Sequence, residues 1–324
     1  MHTTDQLQQI LNTAIQNLKF PDQPEQLYDP IRYIINLGGK RIRPLLVLMG
    51  TELFGKDAHD SIDAAMAIEV FHNFTLVHDD IMDNAPLRRG KPTVHEKWSI
   101  NTAILSGDVM MVEANKNLAK VNPVFLKDVL DTFNATAQGV CEGQQLDMEF
   151  ESRDDVSIEE YINMIRLKTA ILLGGALKLG AIIAGASEKE ADLIYQFGEN
   201  IGIAFQLQDD ILDVYADPEK FGKQVGGDII ANKKTFLLLK AFELADGQIR
   251  DSLDTWTSYK NFDANEKVAT VRSVYDKLDI QNIARESMNN YLEKALSLFE
   301  QISVSEERKS NLFTLTNQLM AREY

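Results

Sequence analysis

Apolar residues recur at spacings of three and four along most of this chain, the period a helix needs in order to bury one face. Met288, Leu292, Ala295, Leu296, Phe299 and Ile302 form one such stripe. No alternating strand pattern persists, and only eight prolines occur in 324 residues, which leaves room for long uninterrupted helices. Breaks fall at Gly38-Gly39, at residues 84–93, near Asn122-Pro123, and at 152–156, 185–187 and 217–232. They divide the chain into about ten helices. No Gly/Ser-rich linker, repeat or low-complexity stretch marks a boundary, so the expectation is an all-α fold, one large helical domain over residues 1–324.

Within that helical background, Asp79-Asp80-Ile81-Met82-Asp83 recurs as Asp209-Asp210-Ile211-Leu212-Asp213. In each copy the first and last aspartates lie four apart and share a helix face. Crowded carboxylates repel one another unless a cation neutralises them. Mg²⁺ suits such a set, because it takes one or two carboxylates while keeping waters and gaining phosphate oxygens. On helices that face each other, the two copies would form a clamp of three Mg²⁺ around a diphosphate. The competing reading is a solvated acidic face. At roughly 6% Asp per position, one DDxxD arises by chance in about 7% of chains this long, and two in well under about 1%. Both copies also follow apolar stretches, Ala64 to Val77 and Ile201 to Leu207, that read as buried helices. The pair is therefore read as a site, with each motif at the end of a central helix.

A net charge of −16 argues against a nucleic-acid partner, since such partners are held by basic surfaces that release counterions. It also means that any diphosphate site must gather positive charge locally. Lys40-Arg41-Ile42-Arg43-Pro44 follows the glycine pair at a helix start, where free N–H groups and the dipole favour anions. Arg88-Arg89-Gly90-Lys91-Pro92-Thr93 follows the first motif, and arginine forks suit phosphate oxygens. Lys168-Thr169 sits in an apolar helix, where the lysine either snorkels or meets an anion. Lys223 and Lys233 flank Gly226-Gly227-Asp228, and His72 lies nearly two turns before Asp79 on almost the same face. The lone Cys141 cannot form an internal disulfide and reads as a small buried apolar residue in a reducing compartment. Residues 1–18 are weakly amphipathic through Leu7, Ile10, Leu11, Ala14, Ile15 and Leu18, without the build of a signal peptide. No apolar run approaches a membrane span, so a cytoplasmic protein is expected.

In their order along the chain, GGKRIRP, HDDIMDNAPLRRGKPT, RLKTA, FQLQDDILD and FGKQVGGDIIANKKT resemble the trans-isoprenyl diphosphate synthases, or polyprenyl synthetases. The resemblance is clearest from Gly38 to about Lys240. It implies an all-α bundle of the isoprenoid synthase type around a central cavity, usually a homodimer, taking isopentenyl diphosphate and an allylic diphosphate. By the same resemblance, Asp79, Asp80, Asp83, Asp209, Asp210 and Asp213 hold Mg²⁺ on the allylic diphosphate, with Asp147 an additional carboxylate. Arg88, Lys168, Lys223 and Lys233 match contacts to that diphosphate. Lys40, Arg43, His72 and Arg89 match the isopentenyl diphosphate site, and Thr169 and Gln206 match polar groups facing the carbocation.

In this family, residues upstream of the first motif limit product length. Phe74 lies five residues before Asp79, roughly 7.5 Å deeper along a helix, with the small Thr75 at four and Phe71 a turn below. That pattern looks closest to a synthase of the twenty-carbon geranylgeranyl diphosphate, with the fifteen-carbon farnesyl product as alternative. A non-catalytic partner subunit would be expected to lose an aspartate or a basic residue, and all are present. A terpene cyclase would not need Lys40, Arg43 and Arg89.

Overall fold

The computed structural model describes residues 1–216 and 225–321, and helices dominate them. In order they are α1 Thr4–Gln16, α2 Glu25–Asn36, α3 Ile42–Leu53, a 3₁₀ turn Ala58–Ser61, α4 Ile62–Met82, α5 Val94–Lys97, α6 Ile100–Leu118, α7 Pro123–Glu151 and α8 Ile158–Ile165. A π-helical turn, Arg166–Ala170, leads into α9 Ile171–Ile183 and α10 Glu188–Tyr215. Then come α11 Gly227–Ile230, α12 Phe236–Leu244, α13 Gly247–Ser258, α14 Ala264–Lys277, α15 Ile280–Glu300 and α16 Glu306–Met320. Among the described residues the sheet is confined to one antiparallel pair, β1 Leu87–Arg88 and β2 Lys91–Pro92. The fold is all-α, as the spacing predicts. Its helices outnumber the ten or so expected because short connections such as Ala245-Asp246 and Leu278-Asp279 carry no Gly or Pro cluster. Asp279 instead turns the chain with a φ of 56°.

The chain divides into two compact units, one of Met1–Ala135, Gly175–Tyr195 and Ile302–Leu312, the other of Thr136–Gly174, Gln196–Gln301 and Phe313–Tyr324. In the first, α4 buries Ala64, Ala65, Ala67, Ile68, Val70, Phe71 and Val77, and packs against α6, which buries Ala103, Gly107, Met110 and Ala114. Small residues on both helices let the backbones approach, so α4 is held stiffly up to its last turn. Thr3 and Gln6 cap α1 reciprocally, and Leu7, Leu11 and Ile15 are buried where α1 meets α3 and α4. Ile10, Ala14 and Leu18 of the expected stripe stay partly exposed.

In the second unit, Ile203, Leu207, Ile211 and Val214 form the buried stripe of α10 and join Tyr161, Ile165, Phe236, Leu237, Val271, Tyr275 and Ile280 in one core. Each fully buried large apolar side chain contributes about 1.5–3 kcal/mol, so the helix carrying the second aspartate motif is well anchored. Cys141 corrects an expectation, since it is exposed. The buried stripe of α7 runs through Phe133, Ala137, Val140 and Gln144, and Cys141 shares the outward face with Asn134, Gln138 and Gln145. Among the described residues, no helix is long and apolar enough to cross a membrane.

Candidate active site

The first aspartate motif occupies the C-terminal end of α4, with Asp83 as its C-cap. A helix C-terminus is already partly negative, so carboxylates there need nearby cations. One is supplied by the β1–β2 hairpin. Its two turn residues, Arg89 and Gly90, both have positive φ, 53° and 72°, the pattern of a type I′ turn that suits tight hairpins. Thr93 ties the hairpin back through its hydroxyl to the Ala85 carbonyl (2.8 Å) and its N–H to the Pro86 carbonyl (3.1 Å). Held there, Arg88 forks onto the buried Asp80, with Nε at 2.8 and 3.0 Å from the two carboxylate oxygens and Nη2 at 2.8 Å. Asp79 is half-buried and Asp83 is exposed.

Further cations gather beside this end of α4. Arg89 lies across Gly39, where a Cβ would come within 2.7 Å of its guanidinium; Gly39 leaves room for that approach, and both glycines of the pair hold positive φ values, 80° and 135°. Arg43, in the first turn of α3, points Nη1 at His72 Nε2, 3.2 Å away. Burial, with Arg43, Arg89, Arg88 and Arg41 close by, holds the His72 imidazole well below its ordinary pKa, so it is neutral. Because a guanidinium only donates, His72 Nε2 must accept and its proton sits on Nδ1. Burial lowers Arg43 to about 10, against the opposing pull of Asp79, and among the described residues its Nε has no hydrogen-bond partner. Lys40 is exposed just before α3. Deeper along α4, Phe71 is fully buried and meets Phe74 and Phe133 at ring distances of 5.6 and 5.3 Å. Phe74 is partly exposed and sits 4.7 Å from the His78 ring, while the Thr75 hydroxyl bonds back to the His72 carbonyl at 2.8 Å.

The second motif lies in the last two turns of α10. Asp210 is buried and takes hydrogen bonds from the Tyr161 hydroxyl and from Gln206 Nε2 (3.2 Å). Thr169 donates to Gln206 Oε1 (3.3 Å), so a hydrogen-bonded chain runs from Thr169 through Gln206 to Asp210. Burial, then the charge of Asp228, pushes Asp210 up to about 7 and Asp213 up to about 6, with Lys233 opposing both. Asp213 accepts the backbone N–H of Asp228 at 3.0 Å. Lys168 sits on the π-helical turn and bonds Asp147 at 2.5 Å. That turn runs so close to Gly143 of α7 that a Cβ there would collide with the backbone of Leu167 and Lys168. Lys223 lies outside the described residues.

In the first unit, then, the structure brings together Asp79, Asp80, Asp83, Arg88, Arg43, His72 and Arg89. In the second it joins Asp210 to Gln206 and Thr169, and Lys168 to Asp147. Among the described residues no three carboxylate, imidazole or thiol groups already converge as a metal cage. Asp80, Asp147 and Asp210 each meet a protein donor instead. The donor set still fits Mg²⁺, which needs one or two carboxylates and takes its remaining ligands from water and phosphate. Sequence reasoning missed Tyr161, Asp228 and the Arg41–Glu69 ion pair. Asp228 and Arg41 stand inside motifs already singled out, whereas Tyr161 is one more apolar-face residue of α8, with no local signal.

Residues 24–278 match the family model described as polyprenyl synthetase. The chain belongs to that family. Among similar proteins, a geranylgeranyl diphosphate synthase of Methanosarcina mazei is 42% identical over 235 residues, 72% of each chain. A geranylgeranyl pyrophosphate synthase of Geoglobus acetivorans is 36% identical over 318 residues, 97% of each. A crystal structure of a geranylgeranyl pyrophosphate synthase matches with a TM-score of 0.95 and 46% identity, covering 100% of both chains. The synthase family thus accounts for the whole fold described above, and it is an all-α one.

Proposed function

We propose that this polyprenyl synthetase condenses isopentenyl diphosphate with an allylic diphosphate to give geranylgeranyl diphosphate, in a Mg²⁺-dependent reaction carried out by residues 1–324 as one catalytic domain. The observation that carries the reading is the cation cluster of Arg43, Arg88 and Arg89 around a neutral His72, beside an aspartate motif at a helix C-terminus. An acidic chain, at a net charge of −16, has little other reason to gather three arginines there, two of them partly buried. The relatives' names support the twenty-carbon product over the fifteen-carbon one, and also support prenyl transfer as the reaction class.

Asp79, Asp80, Asp83, Asp209, Asp210 and Asp213, with Asp147, are the residues that would hold Mg²⁺. When bound, the metal neutralises charge growing on the leaving diphosphate. Arg88, Lys168, Lys223 and Lys233 add fixed positive charge to that same diphosphate, and preorganised charge of this kind is commonly the largest catalytic term. The allylic C–O bond breaks, leaving an allylic cation and diphosphate. Thr169 and Gln206 face the cation with their oxygens. The isopentenyl double bond, held through its diphosphate by Lys40, Arg43, His72 and Arg89, attacks the cation. A proton then leaves the new chain to the departed diphosphate, so no protein nucleophile is consumed. Phe74, with Thr75 and Phe71, bounds the growing tail.

The protein would act in the cytoplasm as a homodimer. The exposed side of α6, where Ile100, Ile104, Leu105 and Val112 stand around Asn101 and Asp108, supports the dimer, because four large apolar side chains on one helix side are costly to leave in water. Incubation with Mg²⁺, labelled isopentenyl diphosphate and each allylic primer in turn, followed by chromatographic sizing, tests the reading. A twenty-carbon product is expected, and Phe74→Ala is expected to lengthen it. No elongation with any primer would return the non-catalytic partner subunit to consideration.

A further inference from the structure

Arg41 stands between two residues of the proposed isopentenyl diphosphate site, Lys40 and Arg43, yet its side chain turns inward. It is 8% exposed and pairs with Glu69 of α4, itself 2% exposed. Its Nη2 also bonds the Ile35 carbonyl near the end of α2 at 2.5 Å. Glu69 Oε1 is fixed in turn by Asn73 Nδ2 at 2.7 Å, one turn further along α4. One guanidinium therefore ties α2, the glycine loop and α4 together. Three residues after Glu69 on the same side of α4 comes His72, which meets Arg43. Two arginines, two residues apart, thus grip α4 at successive positions, one inside the protein and one facing the anion site.

We propose that Arg41 is the positioning residue of the isopentenyl diphosphate subsite, fixing Lys40 and Arg43 through its buried pair with Glu69 and its bond to the Ile35 carbonyl. The backbone at Arg41 carries the physical argument. Its φ of 53° and ψ of 33° are left-handed, a conformation that a side chain other than glycine keeps only when its surroundings impose it. The two anchors of the guanidinium impose it here. The direction of the chain at residue 41 decides where the side chains at 40 and 43 emerge. Once the anchors are gone, the backbone relaxes and both cations move, and small displacements of binding groups are expensive. Among the described residues Glu69 Oε2 has no hydrogen-bond partner, so the charge of Arg41, with the Asn73 bond to Oε1, is what makes this buried carboxylate tolerable.

The inference rests on the proposed function, and the experiment separates the two. Removing Arg41 alone strands a buried charge, so the informative variant is the double Arg41→Leu/Glu69→Leu, because replacing both members of a buried pair is tolerated far better than removing one. Arg41→Lys is the milder companion, as an ammonium keeps the charge but not the planar fork that spans two acceptors. Steady-state rates are measured with each substrate varied at saturating concentrations of the other, beside a thermal melt. The double variant is expected to melt close to the parent, with KM for isopentenyl diphosphate raised about tenfold or more and KM for the allylic substrate within about twofold. Arg41→Lys should show a smaller rise with the same selectivity. Unchanged KM values, or equal rises for both substrates, in variants that stay folded would overturn the positioning role while leaving prenyl transfer standing. A parent protein with no turnover would instead overturn the proposed function.

Discussion

At the scale of single residues, the two aspartate motifs differ in how their charge is managed. Asp80 is neutralised by the Arg88 fork, whereas Asp210 and Asp213 meet no such arginine among the described residues and are instead pushed up to about 7 and about 6 by burial and by Asp228. The sign of the pH effect follows. A carboxyl whose pKa rises on folding stabilises the fold fully at low pH, and that contribution is lost as pH climbs through the folded value. Without a divalent cation, stability should therefore fall between about pH 4 and about pH 7. A divalent cation binds the deprotonated form, so Mg²⁺ should raise the melting temperature more at about pH 8 than at about pH 5. Equal gains at both, read by calorimetry with EDTA as control, would count against metal binding at the second motif. Asp79→Ala and Asp209→Ala should each lower kcat on the order of 10²–10³-fold, with circular dichroism showing the helices intact. Near-normal turnover in either would remove that aspartate from the mechanism.

At the scale of elements, two irregular pieces do what regular helices cannot. The RRGK hairpin turns within two residues and sends Arg88 to Asp80 and Arg89 across Gly39. The π-helical turn at Arg166–Ala170 shifts the helix register where Lys168 must reach Asp147, and such turns recur at functional positions. Gly143 makes room for it. In an ordinary helix Gly→Ala stabilises by about 0.5–1 kcal/mol, but here the added methyl meets backbone. Gly143→Ala should cost about 1–3 kcal/mol instead, seen as a lower melting temperature together with a lower kcat. A stabilised, fully active variant would show that the close approach is unimportant. The sequence places Lys168-Thr169 in an apolar helix but gives no hint of its π-turn, because the run Ala170-Ile171-Leu172-Leu173 is apolar at every position and hides a one-residue shift of the period.

At the scale of the whole molecule, the exposed side of α6 predicts assembly. Sedimentation should report twice the 36.5 kDa chain mass, and Leu105→Arg with Val112→Arg should bring it down to the single chain, whereas a monomeric parent would exclude the dimer. Much of this protein is legible in one dimension. The period of three and four determines an all-α chain, and the order of GGKRIRP, the two DDxxD motifs, RRGKPT and RLKTA determines the family, because these depend on local spacing and local chemistry. Cys141 was misread because composition tells how often a residue type is buried, while the face it occupies depends on what its helix packs against. The partners of Asp80, Asp210 and Asp147, the neutrality of His72 and the inward turn of Arg41 were decided only by tertiary structure. Burial, hydrogen-bond partners and the charges within a few ångströms are set by residues distant in sequence, and those three quantities fix what an ionisable side chain can do.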